Sequence, residues 1–311
     1  LFDRCEELGV DLNFERAIND LESLADYDLI VAADGLNSQI RSRLAHEFKP
    51  SIDMRPNRFT WLGTTRQFPA FTFYFKENEH GLWRVHAYNY EDGLSTFIIE
   101  TTEDAWRSSG MCDASEDETI AYCAQLFEAE LQGHPLIKNR SIWRQFPTVR
   151  NERWSANNVV LLGDSAHTAH FSIGSGTKMA MEDAIALANA LQNDANITVA
   201  LAEYESERRG DIESTQRAAQ VSLAWFEDTE RLFRKLPPIQ FAFSLLTRSL
   251  RITHENLKLR DPQFVQSLDH WFAKANDAPL DRRPMFTPYQ LRDLRLANRI
   301  VLSPMCMYSA T

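Results

Sequence analysis

Four cysteines in 311 residues, Cys5, Cys112, Cys123 and Cys306, are few, and no two are spaced as Cys-x-x-Cys or joined to a His cluster at metal-ligand spacing. That argues against a disulfide framework or a zinc site and fits a reducing, cytoplasmic setting. Lys plus Arg number 33 against 44 Asp plus Glu, a net charge of -11, so the chain offers nucleic acid no general basic field. Long apolar runs are missing too. The stretch Ile239 to Leu246 is interrupted by Gln240 and Ser244 and is far too short to span a bilayer, so no membrane segment is expected. No Gly-x-Gly-x-x-Gly follows any strand pattern, which leaves no candidate for the loop that seats a dinucleotide pyrophosphate on a helix N-terminus. Leu1 opens without a signal-peptide pattern, and the last residues break off just after a strand pattern, so both ends are expected to be cut.

What is present reads as an ordinary globular protein, 44% hydrophobic and 25% charged, long enough for two domains with sizeable cores. A helix is expected over 1–8, stopped by Gly9, followed by an alternating strand at "VDLNFERAI". "YDLIVAADG" is a second strand whose continuous apolar run suits a parallel sheet covered on both faces. From Phe59 to Thr102 aromatic and β-branched residues recur at period two, with Glu91-Asp92-Gly93 as a hairpin turn, which predicts an antiparallel sheet. Ser115 and Glu118 form a capping box before a helix. Residues from about 198 to 275 read as helical, with breaks at Pro237-Pro238 and near Pro262, and "NDAPLDRRP" reads as a linker.

Two stretches carry chemistry. In "VVLLGDSAHTAHFSIGSGTKMAMEDAIALANAL" a strand ends at Gly163-Asp164, crosses a loop and enters a helix near Gly176-Thr177. Unpaired backbone N–H groups and the positive helix end then face one spot, a place for an anionic or electron-rich group, and Asp164 can accept hydrogen bonds from hydroxyls. Small residues at Ala180, Ala184 and Ala188, with Leu187 and Leu191, are expected to form one packing stripe. The plain alternative is an ordinary strand-turn-helix unit with a solvated Asp. In "DLIVAADGLNSQIRSRL" the same strand-to-Asp-Gly form recurs at Asp34-Gly35, with Ser38 and Arg41 beyond it; Arg41 is suited to a bidentate contact with phosphate or carboxylate unless it is a surface residue of a short helix. Two other readings attach to the first stretch: Gly163-Asp164-Ser165 as the nucleophile block of a GDS-type hydrolase, and Asp164, His167 and His170 as metal ligands. Neither finds the partner residues it requires elsewhere in the chain, and no metal site is expected.

Together, "DLIVAADGLNSQIR" and "VVLLGDSAH" resemble the two distal fingerprints of the class A flavoprotein aromatic hydroxylases, in the same order and with an antiparallel sheet between them. The resemblance covers about residues 1 to 275, and the "HFSIGSGT" loop looks like the subgroup acting on salicylyl-CoA and 2-aminobenzoyl-CoA. It implies FAD held by Asp34, Gly35, Ser38, Arg41, Gly163, Asp164, Gly174, Gly176 and Thr177. It further implies NAD(P)H and O2 as co-substrates, a flavin C4a-hydroperoxide, and an aromatic or aryl-CoA substrate. His170 is the candidate catalytic residue by position alone. In the family the Gly-x-Gly-x-x-Gly unit lies at the very start, so its absence implies that the first FAD-binding unit is missing.

A third stretch, "PMFTPYQLRDLRLANRIVLSPMCMYSAT", resembles the opening of old-yellow-enzyme-type FMN reductases: a hairpin, with Leu294 and Leu296 on one arm and Arg299 to Leu302 following, then the first barrel strand. In a complete barrel, Ser303, Pro304, Met305 and Cys306 would line FMN and Tyr308 would face substrate, but a barrel needs some 250 residues. The expected fold is therefore α/β with an α+β insertion. It comprises an incomplete FAD-binding Rossmann-like domain (1–52 and 151–275, the latter with C-terminal helices), an inserted antiparallel-sheet substrate domain (53–150), a linker (276–284) and the first strands of a truncated TIM barrel (285–311). The alternatives are an inactive fragment or non-catalytic flavin module, and a related flavin reductase.

Overall fold

The computed structural model describes residues 1–18 and 20–303. Helix α1 (Phe2–Glu7) ends before Gly9, whose φ of +76° suits glycine. The strand expected over 10–18 is instead irregular, with a turn at Phe14-Glu15, and Val10, Phe14 and Ile18 stay exposed. Alternation gives a strand only where another strand supplies hydrogen bonds, and none pairs here among the described residues. Strand β1 (Ile30–Ala32) leads to α2 (Gln39–Arg43) and α3 (Ala45–Phe48). The long β2 (Pro50–Thr64) opens the expected antiparallel region, followed by β3 (Thr72–Asn78), β4 (Gly81–Glu91) and β5 (Leu94–Thr101). Next come α4 (Glu103–Ser108), α5 (Glu116–Leu126) and α6 (Glu128–Leu131), and α5 starts at the reciprocal Ser115/Glu118 capping box.

Four short strands follow: β6 (Leu136–Ile137), β7 (Arg144–Asn151), β8 (Ser155–Ala156) and β9 (Val159–Leu161). The helices are α7 (Gly176–Asn193), α8 (Ile197–Glu227), α9 (Thr229–Lys235), α10 (Pro238–Thr247), α11 (His254–Arg260) and α12 (Pro262–Ala275). Pro238 and Pro262 each open a helix, where a missing N–H costs nothing, and Asp261 caps the second through Phe264 N–H at 2.9 Å. The hairpin near the C-terminus pairs β10 (Tyr289–Leu291) with β11 (Leu294–Leu296). The expected continuation at Arg299 to Leu302 forms no strand: the turn at Arg292-Asp293 closes the ladder early, and Ile300, Val301 and Leu302 are exposed. Ser303 is exposed and outside any strand. Pro304, Met305, Cys306 and Tyr308 lie outside the described residues.

The chain divides into two units, Leu1–Pro56 with Arg144–Gln216, and Asn57–Trp143 with the chain from Arg217 onward. In the first, β1 and β9 run parallel in the register Ile30 to Val159 and Ala32 to Leu161, and β8 adds antiparallel to β9. In the second, the sheet order β3-β4-β5-β2-β6 is built from antiparallel neighbours. One face of that sheet buries Leu62, Trp83, Val85, Ala87, Phe97 and Ile99 against Cys123, Phe127 and Leu131, each large side chain contributing about 1.5–3 kcal/mol. Burial pushes the Cys123 thiol far above its ordinary pKa, so it behaves as a small apolar residue.

The other face carries charge where the period-two pattern promises only alternation. Across β2, β5, β4 and β3 the register aligns Phe59, Glu100, Arg84 and Phe75, and beside them Trp61, Ile98, His86 and Phe73. The buried Glu100 carboxylate accepts from Asn57 at 2.7 Å and Arg84 at 3.1 Å and pairs with His86 Nε2 at 3.1 Å. The His86 ring packs on Phe226 and Phe73, with centroids 4.8 and 5.0 Å away, and the Arg248 guanidinium lies over those two phenylalanine rings. No helix among the described residues is long and apolar enough to cross a membrane.

Candidate functional site

The two motif turns lie side by side in the first unit because their strands end in register. One residue past the Ala32–Leu161 pair, Leu162 N–H donates to the Ala32 carbonyl at 3.1 Å, and the Ser165 hydroxyl reaches the same oxygen. Asp34 and Asp164 follow within three residues of those strand ends. Asp34 is engaged: its Oδ2 accepts from Gln39 N–H at 2.8 Å and Ile40 N–H at 3.3 Å, closing the start of α2. Gly35 takes φ +77° in that turn. Ser38 is buried as the N-cap of α2, accepting from Arg41 N–H at 2.9 Å.

Arg41 differs from expectation. The residue is 3% exposed, and its guanidinium donates to the carbonyls of Leu36 at 2.6 Å and Ser165 at 3.0 Å. Burial lowers its pKa, with Asp34 opposing. Two bonds to carbonyl oxygens make it a tie between the turns, because one acceptor lies in each.

Gly163 sits at φ +65°, and a Cβ there would stand 3.0 Å from Ala180 Cβ on α7, so both conformation and space require glycine. Asp164 is exposed, as Asp34 is, but unlike Asp34 its carboxylate accepts no hydrogen bond among the described residues. The protein around it raises its pKa, with His167 opposing. The loop then turns at Gly174, φ +60°, and α7 begins at Gly176 with Ser175 providing no side-chain cap. Thr177 is exposed beside it. The first N–H groups of an 18-residue helix therefore lack a side-chain acceptor, which leaves its positive end available.

His170 is buried. Its Nδ1 accepts from Ser172 N–H at 3.3 Å and its ring packs against Phe146 and Phe171, so it caps a short turn. Ser165 is buried with its hydroxyl between the Ala32 and Leu162 carbonyls, which removes the nucleophile of the hydrolase reading. Asp164, His167 and His170 belong to no group of three ligands set to hold a metal among the described residues; His167 pairs with Asp183 instead.

Asp183 and Arg208 are the residues that sequence reasoning missed. The fully buried Asp183 carboxylate receives Gly163 N–H at 3.2 Å, His167 Nε2 at 2.8 Å and Arg208 Nε at 2.9 Å. Burial pushes its pKa up, but the bonds from His167 and Arg208 outweigh that and hold it below the ordinary carboxylate range. This pairing also corrects the packing stripe of α7: the buried positions are Met179, Asp183, Ala186, Leu187 and Ala190, while Ala184 and Ala188 are exposed. A signal was present, since Asp183 is the one charge on an otherwise small or apolar helix face.

Against known proteins, the FAD binding domain family matches residues 12–219. A salicyloyl-CoA 5-hydroxylase of Streptomyces sp is 41% identical over 97% of this chain and 59% of its own length. A 3-hydroxy-4-methyl-anthranilyl-[aryl-carrier protein] 5-monooxygenase of Streptosporangium sibiricum is 40% identical over 72% of this chain and 59% of its own. The chain thus spans about three fifths of the length of these relatives. Among solved structures, a mutant of 2-methyl-3-hydroxypyridine-5-carboxylic acid oxygenase superposes with TM-score 0.51 at 18% identity, covering 71% of this chain and 59% of that one, a likeness of fold.

Proposed function

From the premise that this chain belongs to the FAD binding domain family of class A FAD-dependent aromatic monooxygenases, we propose that it serves the hydroxylation of an aromatic ring, with FAD as cofactor and NAD(P)H and O2 as co-substrates. The observation that carries this reading is the pairing of strand ends: one exposed, unengaged carboxylate, Asp164, in a turn whose Gly163 packs on Ala180 of α7, four residues from the uncapped start of that helix, with the Asp34-Gly35 turn tied alongside by Arg41. These residues fit the flavin. Asp164 offers acceptors for the ribityl hydroxyls, and the N–H groups at Gly176 and Thr177, past the turn at Gly174, suit its electron-rich pyrimidine edge. Asp34, Gly35 and Ser38 shape the neighbouring turn. When bound, FAD supplies the redox and oxygen chemistry; the protein supplies orientation and electrostatics.

The substrate we propose is an aryl-CoA thioester of the salicyloyl or 2-aminobenzoyl type, supported by the identity to the salicyloyl-CoA 5-hydroxylase over nearly the whole chain. The hairpin of β10 and β11 supports a continuation into an FMN-binding barrel. The competing reading, a flavin module without catalysis, draws on the lack of a Gly-x-Gly-x-x-Gly loop. Titration of the purified chain with FAD, followed by flavin absorbance at about 450 nm, tests the proposal. Wild type should retain flavin and Asp164→Ala should bind it more weakly, and turnover of salicyloyl-CoA with NAD(P)H should yield hydroxylated product. Unchanged flavin occupancy in Asp164→Ala removes the role given to that carboxylate; flavin retention with no hydroxylated product from any aryl-CoA favours the module.

A further inference from the structure

We propose that Asp183 is a positioning residue: its buried carboxylate holds the Gly163 peptide and so aims Asp164 at the cofactor, with Arg208 and His167 fixing the carboxylate in turn. The inference rests on the flavin reading above. Its basis is the convergence of three donors on one buried carboxylate, two of them within the turn itself. Gly163 N–H belongs to the peptide leading into the Gly-Asp pair, and His167 closes the same turn three residues after Asp164. Arg208 comes from α8 and also reaches Glu182 Oε2 at 3.2 Å and Asp211 Oδ2 at 3.8 Å.

A buried charge is costly unless paired and hydrogen-bonded, and packing alone would be served as well by a leucine at this position of the α7 stripe. What the carboxylate adds is direction. A carboxylate only accepts, so the hydrogen of His167 sits on Nε2, facing Asp183; Nδ1, also buried, has no hydrogen-bond partner among the described residues. The ring is thereby held in one tautomer and one orientation. Asp183 also lies on the helix whose first turn, at Gly176, forms the other half of the site. Seven residues of helix, about 10 Å of rise, separate the two, so the Asp164 turn and the helix N-terminus are referenced to one rigid element. Ala180, lying between them on α7, abuts Gly163 and sets the spacing of that contact.

Two measurements on the full chain test this. Without cofactor, Asp183→Asn should speed amide hydrogen exchange at Gly163 by about tenfold, the loss of one charge-assisted hydrogen bond, and leave Val160 in β9 unchanged. With FAD, Asp183→Asn should weaken binding about tenfold in the wild-type background but less than about twofold in the Asp164→Ala background, because both changes act through one carboxylate. Equal weakening in both backgrounds would show that Asp183 only supports the fold, and overturns the aiming role. Unchanged Gly163 exchange refutes the clamp, whereas a wild-type chain that takes up no FAD refutes the functional reading and the aiming role with it. If Asp183→Asn does not fold, Arg208→Lys, which keeps the charge but loses the planar fork, is read by the same pair of measurements.

Discussion

Arg41 donates a hydrogen bond to the carbonyl of Ser165, 124 residues further along the chain, at 3.0 Å, while its other terminal nitrogen holds Leu36. One side chain thus joins the loops that leave two parallel strands, at the place where the sheet's carboxyl ends open. Ligands of open α/β sheets bind at such ends. The arrangement explains why an arginine that looked like a phosphate contact is buried: its five donors in a rigid fork can satisfy two carbonyls at once.

Arg41→Lys tests that tie. An ammonium cannot reproduce the fork, and one buried carbonyl is left without its donor. The expected cost is about 1–3 kcal/mol, read as a lower urea midpoint with an unchanged slope. A variant as stable as wild type would mean that the turns are held by the strands alone.

Gly163→Ala should be at least as damaging, since the added Cβ meets Ala180 at 3.0 Å and the backbone stays at φ +65°. Strain of this kind costs about 1–3 kcal/mol. Ala180→Gly in the same chain should recover only part of the loss, because it relieves the contact and leaves the dihedral strain. Full recovery in the double variant, judged by thermal melting, would assign the whole effect to crowding.

His86 predicts a pH dependence with a definite sign. Burial lowers its pKa, with the hydrogen bond to Glu100 opposing and Arg84 and Arg248 adding to the lowering. Between that lowered value and the unfolded value of about 6.5, the unfolded chain binds more protons than the folded one, so stability rises with pH across that interval and falls on acidification below about 6.5. His86→Gln, which keeps a donor for Glu100 but does not titrate, should reduce the slope by at most about 1.4 kcal/mol per pH unit. Identical slopes in the two proteins from pH 7.5 to 5.5 would show that His86 does not titrate differently on folding.

The amino-acid pattern by itself determined the elements whose cause is local. The capping box at Ser115 and Glu118, the helix breaks at Pro237-Pro238 and near Pro262, and the period-two pattern of β3, β4 and β5 follow from caps, proline geometry and period, which neighbouring residues decide. Tertiary structure decided the rest. Whether 10–18 could be a strand depended on a pairing partner that no local signal supplies. The fate of Arg41, the burial of His170, and the meeting of Asp183 with Gly163, His167 and Arg208 depended on contacts spanning tens of residues. A charged residue is at ease in water in any local pattern, and only the finished packing brings together the partners that make its burial tolerable.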